Sequence, residues 1–248
     1  MTAIHCNKAH RWLVAMLAAL ASTGALAQQA GDWVFGAGWL HFATRDSSSP
    51  LSFTAPRPTV LPGSGATVGN ADTLGLSVNY FVDSHWVVEG VFGVPPKFDL
   101  YGIGTLASIG QLGEAKQWSP TVVGRYYFGD AEAKLRPYLG LGAAYVRYSG
   151  VKLTPSLQGA LGARLGAPPG ATVTTAKLDN SFVPVFNAGI AWQFDRHWGA
   201  SFSVSYLPLK TTAVLSTNAA LTGLPLARSQ ATVKVHPVVP YLAVTYRY

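Results

Sequence analysis

The side chains that could support acid–base or nucleophilic chemistry are few in this sequence. His41 is followed by Asp46 and by three serines at 47–49, and histidine, carboxylate and serine are the residue types of ester hydrolysis. Their relative geometry, which defines a triad, is not given by the sequence. No Gly-x-Ser-x-Gly turn and no His-Glu-x-x-His motif accompanies them. A lipid-modifying enzyme is therefore the less favoured hypothesis, and the sequence favours a protein that is not an enzyme.

Metal and cofactor chemistry have still less support. The one cysteine, Cys6, lies near the N-terminus, so zinc–thiolate chemistry has no basis in the rest of the chain. His85 and His197 each precede a tryptophan, a position that suggests anchoring at a membrane interface, and two histidines are too few for a stable metal site. We expect no metal and no cofactor.

The composition and the N-terminus indicate an exported membrane protein. Lys8 and Arg11 precede an apolar run at 12–21, and Ala25-Leu26-Ala27 forms a small-x-small cleavage site. We therefore expect a signal peptide at 1–27 and one mature domain at 28–248. Hydrophobic residues make up 49% of the chain and charged residues only 12%, against about 25% charged in soluble domains. Since no apolar run is long enough for a spanning helix, a closed β-barrel is the remaining way to cross lipid.

Alternating hydrophobicity supplies the strands of that barrel. Between Phe182 and Phe194 every second residue is apolar, a period that places side chains on opposite faces of a strand. The first and fifth strands carry apolar residues or glycine on both faces, so their orientation stays open. The eight predicted strands lie at about 32–44, 73–82, 86–94, 122–128, 136–148, 182–194, 198–206 and 238–248.

The connections between these strands alternate between short and long. Tight turns are predicted at 83–85, 129–134 and 195–197. Long connections are predicted at 45–72, 95–116, 150–177 and 210–230. Bacterial outer-membrane barrels have short periplasmic turns and long extracellular loops. The fold class is therefore all-β: an eight-stranded antiparallel transmembrane β-barrel with both ends of the chain in the periplasm. A soluble lipocalin-like barrel would instead need its large apolar residues inside.

Two sets of residues follow from this assignment of faces. Aromatic residues near the short turns are expected to form an interfacial girdle: Trp86, Tyr126, Phe128, Trp192, Trp198, Tyr246 and Tyr248. Inward-facing valines are expected to line an apolar lumen: Val87, Val91, Val123, Val183 and Val185.

Two lone charges interrupt otherwise uncharged strand interiors. Glu89 lies four residues after His85, and Arg125 lies four residues before Gly129. If their strands are antiparallel neighbours, both side chains reach a similar depth inside the barrel, where an unpaired charge is costly. The sequence predicts that they meet, together with Arg247, and close the lumen to water on the periplasmic side. The open alternative is that each charge contacts lumen water.

One block of the sequence resembles a known family. The segment at 126–130, Tyr-Tyr-Phe-Gly-Asp, followed by Lys-Leu-Arg-Pro-Tyr-Leu-Gly-Leu-Gly at 134–142, resembles the signature of the outer membrane protein W family. Weaker matches lie at 119–121, 178–181, 211–213 and 246–248. The resemblance implies an eight-stranded barrel in the outer membrane of a Gram-negative bacterium, passage of small hydrophobic molecules, and in some members a receptor role for bacteriocins.

The predicted function is an outer-membrane channel for small hydrophobic molecules. The alternative is a non-conducting structural or receptor barrel whose extracellular loops bind a partner such as a bacteriocin or phage. Expected partners are outer-membrane lipid, lipopolysaccharide and small hydrophobic solutes. Nucleic acid is not expected, because the basic residues are scattered. Six of them fall in predicted loops: Lys97, Lys116, Lys152, Arg164, Lys177 and Arg228.

Overall fold

The computed structural model describes residues 28–248, and the predicted signal peptide at 1–27 lies outside them. The strands are β1 (Trp33–Phe42), β2 (Asp46–Ser48), β3 (Ser52–Ala55), β4 (Thr59–Val60), β5 (Ser64–Val68), β6 (Ala71–Phe81), β7 (Trp86–Gly93), β8 (Lys97–Gly104), β9 (Gln111–Trp118), β10 (Thr121–Tyr127), β11 (Leu135–Leu153), β12 (Thr172–Leu178), β13 (Ser181–Gln193), β14 (Trp198–Tyr206), β15 (Leu209–Ala219), β16 (Pro225–Val235) and β17 (Val238–Arg247). A helix, α1 (Pro155–Arg164), and a 3₁₀ turn at Ala107–Ile109 complete the list. No helix within residues 28–248 has the length and apolar character needed to cross a membrane.

Eight of these strands close into an antiparallel barrel, which confirms the predicted fold. Their order around the wall is β10, β7, β6, β1, β17, β14, β13 and β11, and pairing of β10 with β11 completes the circle. Closure leaves the barrel wall without an unpaired edge, which lipid requires of a spanning sheet.

The alternation along each strand sorts side chains between lipid and lumen. On β14, Phe202 faces outward and is 46% exposed, whereas its neighbour Ser203 is buried inside. The two strands whose orientation the sequence left open are now placed. Leu40 and Phe42 of β1 point inward, and so do Arg136 and Tyr138 of β11. Their outward positions carry Trp39 and a row of leucines.

The long connections between the barrel strands contain strands and a helix of their own. The strand β11 runs for 19 residues and continues beyond the barrel, where it pairs with β9 and extends the sheet to β8 and β5. A second sheet joins β12, β15, β16, β3 and β4, with β2 also paired to β16. Of the barrel strands only β11 runs unbroken into the extension, and each of the others is separated from a strand of the extension by two or three residues. The six basic residues assigned to loops lie in these elements: Lys97 in β8, Lys116 in β9, Lys152 in β11, Arg164 in α1, Lys177 in β12 and Arg228 in β16.

Helix α1 covers the far end of this extension. Thr154 caps the helix by accepting a hydrogen bond from the Leu157 amide at 3.3 Å. Pro155 occupies the first turn, where a backbone N–H would have no partner within the helix, so the missing N–H of proline costs nothing. Leu157 and Leu161 are buried against Leu112 and other leucines of the extension. The described chain is therefore one continuous tube, with a lipid-facing half at the short-turn end and an extracellular half under α1.

Candidate functional site

A buried polar network crosses the lumen in the lower, short-turn half of the barrel. Arg125 of β10 forms an ion pair with Glu89 of the adjacent strand β7, and both side chains are almost completely buried. The Arg125 Nε donates to Asn187 at 3.0 Å, and its Nη1 donates to Asn79 at 3.4 Å. The ring of Tyr138 lies 4.4 Å from the guanidinium carbon. Side chains from four other strands of the wall thus converge on the guanidinium that β10 carries.

Below this network the lumen is filled by aromatic rings. Phe81 and Tyr127 lie 5.6 Å apart by ring centroids, and Tyr127 and Tyr138 lie 4.8 Å apart. Val87 belongs to this lower cluster. Its side chain faces inward and is buried beneath the ion pair, whereas the other four valines of the predicted lumen lining lie above it. Its place follows from the register, because Val87 is opposite Arg125 and two residues nearer the turn than Glu89.

Arg136 closes the periplasmic mouth below the rings. It is only 2% exposed. Its guanidinium donates to the Gln28 side chain and to the Ser84 carbonyl, both at 2.7 Å, and lies 5.2 Å from the ring of Tyr127. One side chain thus ties the start of the described chain to a turn on another part of the rim.

Arg247 has a different role from the predicted one. Its Nη1 lies 3.7 Å from the Asp32 carboxylate, and its Nε donates to the Arg196 carbonyl at 2.9 Å. It stands three strands from Glu89 along the wall, on β17, and its guanidinium reaches the turn between β13 and β14. The prediction that joined it to the Glu89–Arg125 pair is therefore replaced by a contact at the rim.

Above the ion pair the lumen becomes largely apolar, although serine and threonine side chains still line its lowest cavity. Val123, Val183 and Val185 are buried in one cluster, and Val91 packs against it. Three cavities of about 60, 40 and 90 Å³ follow one another from the ion pair to the space beneath α1. The lower two share Phe42 and Gln117 in their linings, and the upper two share Leu100, Leu178 and Val233. We call this series the apolar column. Its lower end rests on Glu89 and Arg125.

The wall beside the lower cavity has a gap. The β7–β10 ladder ends at the Val91–Thr121 pair, and the β8–β9 ladder begins at Lys97–Lys116. Within the described structure no ladder pair joins 92–95 to 118–120. Prolines at 95, 96 and 120 lack the N–H that a ladder needs. Residues from both sides of the gap line the cavity: Phe92, Gly93, Val94 and Ser119.

The girdle residues surround the short-turn end of the barrel. Tyr126 is partly exposed, and the other six are more than a third exposed: Trp86, Phe128, Trp192, Trp198, Tyr246 and Tyr248.

Two turns on opposite sides of the barrel repeat one arrangement. Asp83 accepts hydrogen bonds from the amides of His85 and Trp86, both at 2.7 Å, and Asp195 accepts from those of His197 and Trp198, both at 2.8 Å. These donors lower the pKa of each aspartate.

The residues of the candidate triad are engaged elsewhere. His41 Nδ1 lies 2.7 Å from Asp72, which also accepts from the Trp39 indole at 2.8 Å. The Asp46 carboxylate accepts from Thr67 and from the Val68 amide. The Ser48 hydroxyl oxygen accepts a hydrogen bond from the Ala66 amide of β5 at 2.7 Å, and the Ser49 hydroxyl oxygen accepts one from the Thr232 amide at 2.9 Å. These contacts tie β2 and its flanking residues to neighbouring strands.

Sequence reasoning missed Asn79, Asn187, Tyr138 and Arg136. A signal existed for the two asparagines, because each is a large polar residue at an inward position of an alternating strand. Arg136 and Tyr138 lie on β11, whose two faces look alike in the sequence, so no local pattern indicated which one is buried.

These features define a class of protein: an outer-membrane β-barrel with an apolar column above a closed polar floor. The model of the OmpW family matches residues 29–248, so the chain belongs to that family and resides in the outer membrane of a Gram-negative bacterium. It is 30% identical to Outer membrane protein W of Vibrio cholerae, covering 83% of this chain and 87% of that protein. It is 26% identical to the dibenzothiophene metabolism operon protein PahQ of Pseudomonas aeruginosa, covering 73% and 75%. The crystal structure of OprG from Pseudomonas aeruginosa shares the fold, with a TM-score of 0.76, 24% identity, and coverage of 90% of this chain and 99% of that one.

Proposed function

We propose that this protein carries small hydrophobic molecules through the outer membrane and does not change them chemically. The observation that carries the proposal is the apolar column, which stops on the Glu89–Arg125 floor beside the gap in the wall. A solute that enters under α1 exchanges one apolar environment for another until it meets the floor. The desolvation cost of passing the buried ion pair then favours a sideways exit between 92–95 and 118–120 into the membrane.

Two further facts support this route. The relative named for a dibenzothiophene metabolism operon is linked by its name to a small fused-ring hydrophobic compound. The gap is also flanked on its outer side by apolar residues, Phe92 and Val94, both more than half exposed to lipid. The hydrogen bonds of His41 and of the serines to other elements support a function without catalysis.

Blocking the gap tests the route. We expect Gly93→Phe to reduce uptake of radiolabelled naphthalene by intact cells, because Gly93 lines the lower cavity at the gap. Ser119→Phe should act in the same way from the other side. The matched control is Gly90→Phe, whose side chain would point to lipid and meet only the movable ring of Phe92. Naphthalene should be recovered unchanged, and entry of benzoate should not depend on any of these variants.

The receptor alternative predicts a different pattern. Uptake of naphthalene that is the same in cells with and without the protein would exclude transport by this route. Uptake that is unchanged in all three variants, Gly93→Phe, Ser119→Phe and Gly90→Phe, would exclude it as well. Binding of a bacteriocin or phage by the extracellular extension stays a prediction.

A further inference from the structure

Two lysine pairs on the outer surface of the extension place like charges directly opposite each other. Lys97 of β8 is paired with Lys116 of β9, and Lys210 of β15 is paired with Lys234 of β16. All four side chains are exposed. Directly opposed like charges destabilise a sheet. One such pair occurs in each of the two sheets of the extension.

The first pair belongs to a row of cations. Arg147 of β11 is a diagonal neighbour of Lys116, since Lys116 is opposite Ser149 on the same face. Lys97 has acidic partners, with Glu114 at 3.0 Å and Asp99 at 3.6 Å, and these carboxylates raise its pKa. Among the described residues, Lys116 and Arg147 have no carboxylate within ion-pair distance.

The second pair has no acidic partner at all among residues 28–248. Neither Lys210 nor Lys234 has a carboxylate oxygen within ion-pair distance there. The nearest charged residue on the paired segment of β2, Asp46, directs its carboxylate to Thr67 and the Val68 amide instead. The two lysines therefore repel each other across the ladder without compensation from the protein.

Both pairs lie a similar number of residues beyond the outermost lipid-facing aromatic residue of a barrel strand. Lys210 is four residues beyond Tyr206, and Ser149, opposite Lys116, is four residues beyond Tyr145. These tyrosines are the outermost lipid-facing aromatic residues of their strands. Four residues rise about 13 Å along a strand, and about 9 Å along the membrane normal at the tilt of a barrel strand. Flexible lysine stems therefore reach the phosphate layer of the outer leaflet.

We propose that Lys116, Arg147, Lys210 and Lys234, for which the described residues provide no carboxylate within ion-pair distance, bind phosphate groups of an anionic glycolipid in the outer leaflet. The cations are not spread evenly around the rim. Beyond the outer ends of β1 and β6 the exposed Asp72 carboxylate and the exposed Arg45 offset each other in charge. The lipid is therefore held at the β8–β9–β11 face and at the β15–β16 face. This inference concerns the outer rim and does not depend on transport through the lumen.

Lipid binding by charge-matched variants tests the proposal. The full-length mature protein is placed in phosphatidylcholine nanodiscs that contain either a diphosphorylated acyl-glucosamine disaccharide or its dephosphorylated form. Bound lipid is counted by native mass spectrometry. Two double variants are compared with the parent: Lys116→Gln with Arg147→Gln, and Lys210→Gln with Lys234→Gln. We expect each to weaken binding of the phosphorylated lipid by about tenfold or more, because each lysine or arginine near an anionic membrane surface contributes to the binding free energy. Binding of the dephosphorylated lipid should be unchanged.

The control removes the same amount of charge elsewhere on the extension. Lys152→Gln with Lys177→Gln should leave binding nearly unchanged, because Lys152 lies 3.9 Å from Glu114 and Lys177 is opposite Val214. An equal loss in this control, or no loss in either test variant, overturns the proposal. Competition by inorganic phosphate as effective as that by the lipid would overturn the lipid as the source of the anion. Single variants Lys116→Gln and Lys210→Gln give the same decision if a double variant fails to show the heat-dependent gel migration of a folded barrel.

Discussion

The polar floor and the lowest cavity of the apolar column are both lined by barrel strands, β7, β10 and β13 among them, yet the two levels differ in character. Strand β13 shows the contrast in three inward positions, because Val183 and Val185 belong to the apolar column whereas Asn187, two residues further, hydrogen-bonds Arg125 and Ser205. The backbone ladder is continuous through all three. The barrel therefore sets where side chains point, and their size and polarity decide whether a given level is filled or open.

Breaking the floor should have the largest effect on stability. Arg125→Gln leaves the Glu89 carboxylate buried without its partner, and Glu89→Gln does the same to the guanidinium. Removing one member of a buried pair costs about 3–5 kcal/mol. We expect losses of this size in the free energy of unfolding from urea titrations in detergent micelles, with the double variant costing less than the sum. A coupling energy of zero in this double-mutant cycle would mean that Glu89 and Arg125 do not stabilise each other.

The rim of the lower half should be the next most sensitive. Arg136→Met removes hydrogen bonds to Gln28 and to the Ser84 carbonyl, and hydrogen bonds from charged groups are worth about 1.5–3 kcal/mol. Hydrogen exchange should show faster exchange at the Gly31 amide near the same mouth, which donates to the Phe81 carbonyl at 2.8 Å. Arg196→Met, on an exposed turn, is the control and should change neither quantity. If both variants behave alike, the Arg136 contacts are not what holds the mouth closed.

A hydroxyl in the upper half tests whether the column is dry. Val185→Thr changes shape very little but adds a donor to a cluster of apolar side chains. A buried hydroxyl without a partner costs about 1–3 kcal/mol, and we expect a loss in this range in the same titration. A variant as stable as the parent would mean that water fills the column, and the two halves would then differ in size but not in polarity.

The two aspartate turns at the short-turn end should give the smallest effect, visible only through its pH dependence. Each carboxylate has a lowered pKa, so its contribution to stability is present above the ordinary value of 3.8 and disappears as the pH falls through the folded value. Asp83→Ala with Asp195→Ala should be less stable than the parent at neutral pH. This difference should shrink in acid. A gap of the same size at every pH would mean that the ionised form is not what the turns use.

The sequence predicted more about the wall than about the interior. Strand alternation and connection length gave the eight-stranded barrel, because both signals are local to each strand and its neighbours. The depth of Glu89 and Arg125 could also be read, by counting residues from the turns. Arg247 could not be placed by this method. The number of residues between Arg247 and the end of the chain gives the depth of its backbone in the barrel, but it does not give the direction in which the long side chain extends.

The sequence by itself determined the class of protein, the faces of six strands and the level of the two buried charges, since a period of two and a turn position are properties of short segments. Only the tertiary structure decided that Val87 lies below the floor, that Arg136 and Tyr138 point inward, and that the long connections fold into sheets under α1. Each of these depends on register between segments far apart in the chain. A shift of one residue reverses every face of a strand, and no local pattern on β11 favours either alternative.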